Sequence, residues 1–388
     1  MKRMLLKGGQ VVGREEVFSP GYVVINDGKI EDVGKLENAP TLEDAQTIEL
    51  TDDQVVMPGF IDIHIHGANG YDVMDGTPEA LKEMAAVLPE EGTTSFLATT
   101  ITENKESTDK ALKNVANVTQ TTYEGAEILG IHLEGPFINA KRAGAQPEKH
   151  ILSPDLDQFD VWQQSANQLI KVVTLAPEME NGQALVKHLA DQGVIASIGH
   201  SDASYTDVVE AEENGLLHAT HLFNGMRGIH HREPGVAGSV FLSDRIKAEV
   251  IFDQIHVEPK MVQLAYQNLG VDRLMLITDS MRGKCLTNGV YDLGGQEVTL
   301  EDGEARLADG TLAGSVLKMN DAVKHASQLE PTTLLDLAKF SSGNVAQSLG
   351  VDDHKASIQE GYDADVVVLS DDFEVDMTFC NGQMVFEK

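Results

Sequence analysis

Phe60-Ile61-Asp62-Ile63-His64-Ile65-His66 is an apolar strand that closes on two histidines. Alternation of side chains along a strand puts His64 and His66 on one face. Short apolar runs with polar ends recur at Thr94–Thr100, Ile128–Glu134, Lys171–Ala176, Val194–His200, Leu216–His221, Ala248–Asp253 and Arg273–Asp279. Between them lie stretches with helical spacing of apolar residues, among them Pro78–Glu90, Lys105–Thr119, Ala203–Asn214 and Pro259–Leu269. Eight β/α alternations over about 300 residues predict a closed parallel (β/α)₈ barrel. A doubly wound open sheet also alternates, but no glycine-rich phosphate loop follows the first strand here.

The two ends of the chain read differently. Val23 to Val33 is a hairpin around Asn26-Asp27-Gly28, Asp365 to Leu369 (DVVVL) is a buried-strand pattern, and Asn381-Gly382 is a two-residue hairpin turn. Each end is too short to bury a core alone. The expectation is one small β-sandwich domain from residues 1–57 and 357–388, beside a barrel of residues 58–356.

If these runs form a barrel, their ends meet at one mouth, where barrel enzymes carry their chemistry. That brings together His64, His66, Glu134, His200, His221 and Asp279. Taken singly, a His-x-His is incidental, Glu-Gly-Pro is a turn and Thr-Asp-Ser is a helix cap. Their joint placement at strand ends points to one or two divalent metal ions. His150, His188 and His218 are poorer candidates, since they sit in loop or helix contexts or alternate away from the mouth.

Composition narrows the classes. Of 388 residues only two are cysteine, which suits a reducing compartment and excludes a cysteine-built metal site. With no N-terminal apolar run and no long apolar stretch, a cytoplasmic location is expected. A net charge of -33 argues against nucleic acid and anionic membranes as partners. An anionic substrate would need a local cluster of donors. His230-His231-Arg232, a basic cluster just after the sixth run, is the candidate, with Arg232 able to grip a phosphate by a bidentate fork.

Pro58 to Gly67 (PGFIDIHIHG) resembles the opening signature of the amidohydrolase superfamily, and Gly361 to Asp365 (GYDAD) its closing one. His132 to Phe137 (HLEGPF), Gly199-His200-Ser201, Thr220 to Met226 (THLFNGM) and Arg232 to Gly235 (REPG) are similar to the N-acetylglucosamine-6-phosphate deacetylase family. The resemblance covers essentially the whole chain. It implies a homodimer that removes acetate from an amino-sugar phosphate. It assigns Glu134, His200 and His221 to the common metal, His64 and His66 to a second, and Asp279 to acid/base catalysis. Asn224, Gly225, Arg232 and His256 would contact the sugar phosphate. Ala145, Gln146 and the Leu312-Ala313-Gly314-Ser315 segment would complete the pocket. The ligand types suit Zn, Fe, Mn or Co alike.

The sequence departs from that pattern at two places. Gln146 stands where many members carry a histidine thought to polarise the acetyl carbonyl, and Ser280 stands where alanine is commoner. The fourth run ends Leu175-Ala176-Pro177 and offers no lysine to bridge two metals, which weakens dihydroorotase-like and hydantoinase-like readings. The competing readings are an amidohydrolase for a non-phosphorylated N-acetyl sugar or N-acyl amino acid, and a non-catalytic protein on the same barrel. The second should have lost ligands, and none is lost.

Overall fold

The computed structural model describes residues 3–388. Eight parallel strands lie side by side in chain order. They are β1 (Phe60–Ile65), β2 (Thr93–Thr100), β3 (Glu127–Glu134), β4 (Ile170–Leu175), β5 (Ile195–Ile198), β6 (Leu216–Ala219), β7 (Lys247–Ile251) and β8 (Leu274–Ile277). The ends of the sheet meet: the Asp279 N–H donates to the His64 carbonyl at 2.8 Å and the His66 N–H to the Ser280 carbonyl at 2.9 Å. The sheet is therefore a closed barrel. Every residue of β1, β2 and β8 is buried, as parallel strands covered on both faces must be.

The outer helices begin where side chains can take up free backbone N–H groups. Thr77 caps Pro78–Val87, Asn104 caps Lys105–Val118, and Ser204 with Asp207 forms a capping box on Tyr205–Glu213. That box sets the fifth helix two residues later than its apolar spacing implies. The first helix gives way to a 3-10 turn, Leu88–Glu91, where Pro89 cannot continue the backbone ladder.

Two further sheets pack as a sandwich at the barrel's side. One pairs Met4–Gly8, Gly21–Asn26, Lys29–Lys35 and Gln46–Glu49; the other joins Gln10–Val12, Val17–Phe18 and Val55–Pro58 to Val366–Leu369, Val375–Cys380 and Gln383–Glu387. The second sheet has two buried faces. Val366 and Val368 enter the sandwich core with Leu6, Val23 and Phe379, whereas Val367 and Leu369 join the barrel core. That is why this strand reads as an unbroken apolar run. The turns Asp27-Gly28 and Asn381-Gly382 all have positive φ, as tight hairpins require.

One element does not follow from the alternation. Between β8 and the next barrel helix, the chain forms a three-stranded antiparallel flap of Gly289–Leu293, Gln296–Glu301 and Glu304–Arg306. It has a small core of its own, in which Leu293, Val298 and Ala305 pack with Ile101, Met281 and Ala313. Among the described residues no helix is long and apolar enough to cross a membrane.

Candidate metal centre and pocket

The strand ends deliver two groups of ligand-type side chains that share one carboxylate. In the first, Glu134 Oε1 lies 3.1 Å from both His200 Nε2 and His221 Nε2, which are themselves 3.1 Å apart. In the second, Asp279 Oδ1 lies 3.6 Å from His64 Nε2 and 3.2 Å from His66 Nε2. Glu134 spans both, at 3.4 Å from His64 Nε2 and 3.2 Å from His66 Nε2. All six are buried.

Four of these residues, His66, His200, His221 and Asp279, lie beyond the regular strands, and the last three are in an unusual backbone conformation. His200, His221 and Asp279 have φ of 47°, 33° and 47°. Side chains other than glycine seldom occupy this left-handed region, and they do so where the surroundings hold them there. The chain thus leaves the ladder after Ile198, Ala219 and Ile277 and turns each side chain inward. Gly225 makes room for the result, since a Cβ on it would lie 2.9 Å from His200 Nδ1.

The imidazoles are aimed from behind. His200 Nδ1–H donates to the Arg142 carbonyl at 2.9 Å, His221 Nδ1–H to the Asn224 carbonyl at 3.0 Å, and His64 Nδ1–H to Glu249 Oε2 at 3.0 Å. Each bond fixes a tautomer with Nε2 free to face the centre, the usual support of a metal-bound histidine. His64 Nε2 is buried without a hydrogen-bond partner. Ligand atoms about 2.0–2.1 Å from one ion at tetrahedral angles lie roughly 3.3 Å apart, close to the spacing of Glu134, His200 and His221.

Charge gives the same answer. Burial would depress His64 and His66, but Asp279 and Glu134 beside them raise His64 well above the ordinary histidine range and His66 to about 9. Burial opposes ionisation of Asp279 and Glu134 too, yet the facing imidazoles hold Asp279 down to about 2 and Glu134 well below the carboxylate range. Two buried carboxylates demand positive charge between the histidines, and the donor set fits a divalent cation.

Above the centre opens a cavity of about 350 Å³. Its wall includes Ala145, Gln146, Asn224, Gly225, His256, Leu312 and Gly314, all expected from the sequence. Asn224 Nδ2 is buried with no partner, a donor left available to the cavity. His256 Nδ1 is 2.6 Å from Asp253 Oδ2, a bond that holds the ring in place. Gln146 is committed: its Oε1 accepts the Thr102 N–H at 2.8 Å, and its Nε2 donates to Glu134 Oε2 at 2.6 Å. Only the second Nε2 proton remains for a carbonyl.

Three expected residues are not on the wall. Ser315 is buried, with its hydroxyl donating to the Thr278 carbonyl. Ala313 is fully buried in the flap's core. Arg232 is exposed, with its guanidinium 2.6 Å from His231 Nε2, because paired backbone bonds between His230 and Glu233 close a turn that points it outward. Two residues at or behind the cavity escape the sequence reading. Arg306 reaches the cavity from the flap, held by Glu304 at 2.7 Å and the Gly310 carbonyl at 2.7 Å. Glu249 lies behind His64; its signal was a lone carboxylate inside an apolar run. His218, set aside from sequence, turns outward to Ser348 Oγ at 3.0 Å, and burial holds its pKa down to about 3.

A profile of the amidohydrolase family matches residues 55–385. The chain is 46% identical to the N-acetylglucosamine-6-phosphate deacetylase of Bacillus subtilis (strain 168), across 99% of this chain and 97% of that protein. It is 35% identical to the N-acetylgalactosamine-6-phosphate deacetylase of Escherichia coli O157:H7, across 86% of this chain and 88% of that one. A mutant N-acetyl-D-glucosamine-6-phosphate deacetylase from Mycobacterium smegmatis, solved with N-acetyl-D-glucosamine-6-phosphate, superposes with a TM-score of 0.93 at 30% identity, covering 99% of this chain and all of that one.

Proposed function

Since the chain belongs to the amidohydrolase family, we propose that it hydrolyses the acetamide of N-acetyl-D-glucosamine 6-phosphate to glucosamine 6-phosphate and acetate. The observation that carries this reading is the pair of ligand groups joined by Glu134 at the floor of the cavity. Glu134, His200 and His221 would hold one divalent ion, with His64 and His66 able to hold a second; Zn, Fe, Mn and Co all suit these donors. When bound, such an ion supplies Lewis acidity to the acetamide carbonyl and acidifies the attacking water.

The chain's own residues do the rest. Asp279 faces the cavity as a carboxylate, so it accepts the proton of the attacking water and returns it to the departing amine. Gln146 steadies Glu134 and keeps one amide proton for the acetyl oxygen. At the far end, His256 with Asn224 and Gly225 receives the sugar phosphate. In a homodimer, the exposed turn carrying Arg232 would serve the neighbouring cavity. A cytoplasmic place in amino-sugar metabolism is consistent with this chemistry.

The test is amine release by purified, metal-analysed protein. N-acetylglucosamine 6-phosphate is compared with unphosphorylated N-acetylglucosamine and with the 6-phosphate of N-acetylgalactosamine. N-acetylglucosamine 6-phosphate should have the highest kcat/KM. Equal turnover of the unphosphorylated sugar would remove the phosphate from the reading and leave a general N-acetyl sugar deacetylase.

A further inference from the structure

Behind the centre, His64, His132 and Glu249 form a third group at metal-binding distances, all fully buried. It is not an ion site, because His132 has no nitrogen to give. Its Nδ1–H donates to the Ile63 carbonyl at 2.9 Å, and its Nε2 accepts from Thr174 Oγ1 at 2.7 Å. Thr174 in turn is 2.7 Å from Thr220 Oγ1, which is 2.6 Å from Ser197 Oγ. That hydrogen-bonded chain spans the barrel interior and accounts for His132 fully.

Glu249 is not accounted for in that way. It lies in β7 between Ala248 and Val250, with no exposure at all. One oxygen, Oε2, accepts both the His64 Nδ1–H at 3.0 Å and the His221 backbone N–H at 3.3 Å; Oε1 has no partner. A buried carboxylate so thinly satisfied is costly to folding. A hydrophobic residue of similar size would serve the strand better.

We propose that Glu249 is a positioning residue that sets the second cation site. Its oxygen turns His64 Nε2 toward the centre and ties that ring, on β1, to the backbone of His221 beyond β6. This rests on the reading of the centre as a metal site. The effect is selective by construction. The rings of His200 and His221 are held by the carbonyls of Arg142 and Asn224, so loss of Glu249 leaves both rings with their partners, although the His221 backbone N–H loses a long hydrogen bond of 3.3 Å. Only His64 loses the partner of its ring.

The experiment titrates metal-stripped protein with Zn²⁺ against a chelator, with elemental analysis after dialysis, for wild type, Glu249→Gln and Glu249→Asp. Wild type should retain two ions per chain. In Glu249→Gln the weaker site should lose roughly 10–100-fold in affinity, the range typical of lost outer-shell partners, while the tighter site changes little. Glu249→Asp, which keeps the charge but withdraws it by one methylene, should weaken the same site and no other, should Gln fail to fold. The ¹⁵N signature of His64, protonated on Nδ1 in wild type, should become mixed in Glu249→Gln. Thr174→Val is the control for core disruption: it cuts the His132 chain and should lower Tm with two ions retained. Two ions bound at wild-type affinity by both Glu249 variants would overturn the proposal. A single ion in wild type would instead overturn the His64–His66 reading beneath it, and the proposal with it.

Discussion

At the scale of single residues, the proposed mechanism separates holding a cation from moving a proton. Glu134 touches all four imidazoles, so Glu134→Gln is expected to lose bound metal and activity together. Of the four imidazoles, Asp279 lies against His64 and His66. Asp279→Asn should therefore keep the ion at Glu134, His200 and His221, still bind substrate, and lose roughly 10²–10⁴ in kcat. A rise in KM alone would assign Asp279 to binding. The metal-free protein has its own pH signature. His66, raised to about 9 by Asp279 and Glu134 against the cost of burial, contributes stability that is complete below about 6.5 and lost as pH climbs through about 9. Asp279 and Glu134 are depressed, so their share is present above about 4 and lost as pH falls further. The Tm of chelator-treated protein should thus decline from pH 6.5 to 9, and a saturating divalent ion should flatten that decline, because the ion takes the place of the protons. Calorimetry of both forms across that range checks it; parallel curves would mean that the centre does not link protons to metal.

At the scale of elements, what was legible depended on periodicity. The barrel strands are buried on both faces and the helices on one, and both patterns survive in the sequence. His64, His66 and Glu134 could be placed because they lie in or beside regular strands. His200, His221 and Asp279 were found as residue types, but not as left-handed residues; φ leaves no trace in a non-glycine sequence. Glu249 was passed over because one acid in an apolar run carries no period, and Arg306 because nothing foretold the flap. Its strand with alternate burial, Gln296–Glu301, is short and lies where a barrel would place a loop. The flap makes a prediction of its own. Leu293 is buried both in the flap's core and against the cavity. Leu293→Ala removes contacts of the kind worth about 2–5 kcal/mol in a core, but within a cluster separate from the barrel's. Hydrogen exchange should quicken across residues 289–306 and KM should rise, with the barrel strands unchanged. Unchanged exchange in the flap would mean that it is held by its loops rather than by its core.

At the scale of the molecule, charge is the dominant fact. The chain carries 62 acidic residues against 29 basic ones. Even the joint between sandwich and barrel is rich in acid: Lys355 Nζ lies 2.7 Å from Glu127, 2.8 Å from Asp365 and 3.1 Å from Asp363. Glu127 is partly exposed, but the pairs with Asp365 and Asp363 are largely buried, so they are poorly screened and should respond little to salt. Exposed pairs, such as Lys113–Asp109 and Lys187–Asp191, are each worth about 0–1 kcal/mol and weaken when salt is added. Against these stands the self-repulsion of a net charge of -33, which salt relieves. The repulsive pairs outnumber the attractive ones and act over longer distances, so relief should win. The Debye length falls from about 30 Å at 0.01 M to about 8 Å at 0.15 M, so most of the gain should come below 0.2 M. Tm is therefore expected to rise by several degrees between 0.01 and 0.2 M NaCl, and more slowly beyond. Sucrose, which strengthens burial without screening charge, should show no such break. A Tm that stays level or falls across the low-salt range would mean that the acidic surface is already balanced locally, and that the excess charge does not bear on the stability of the fold.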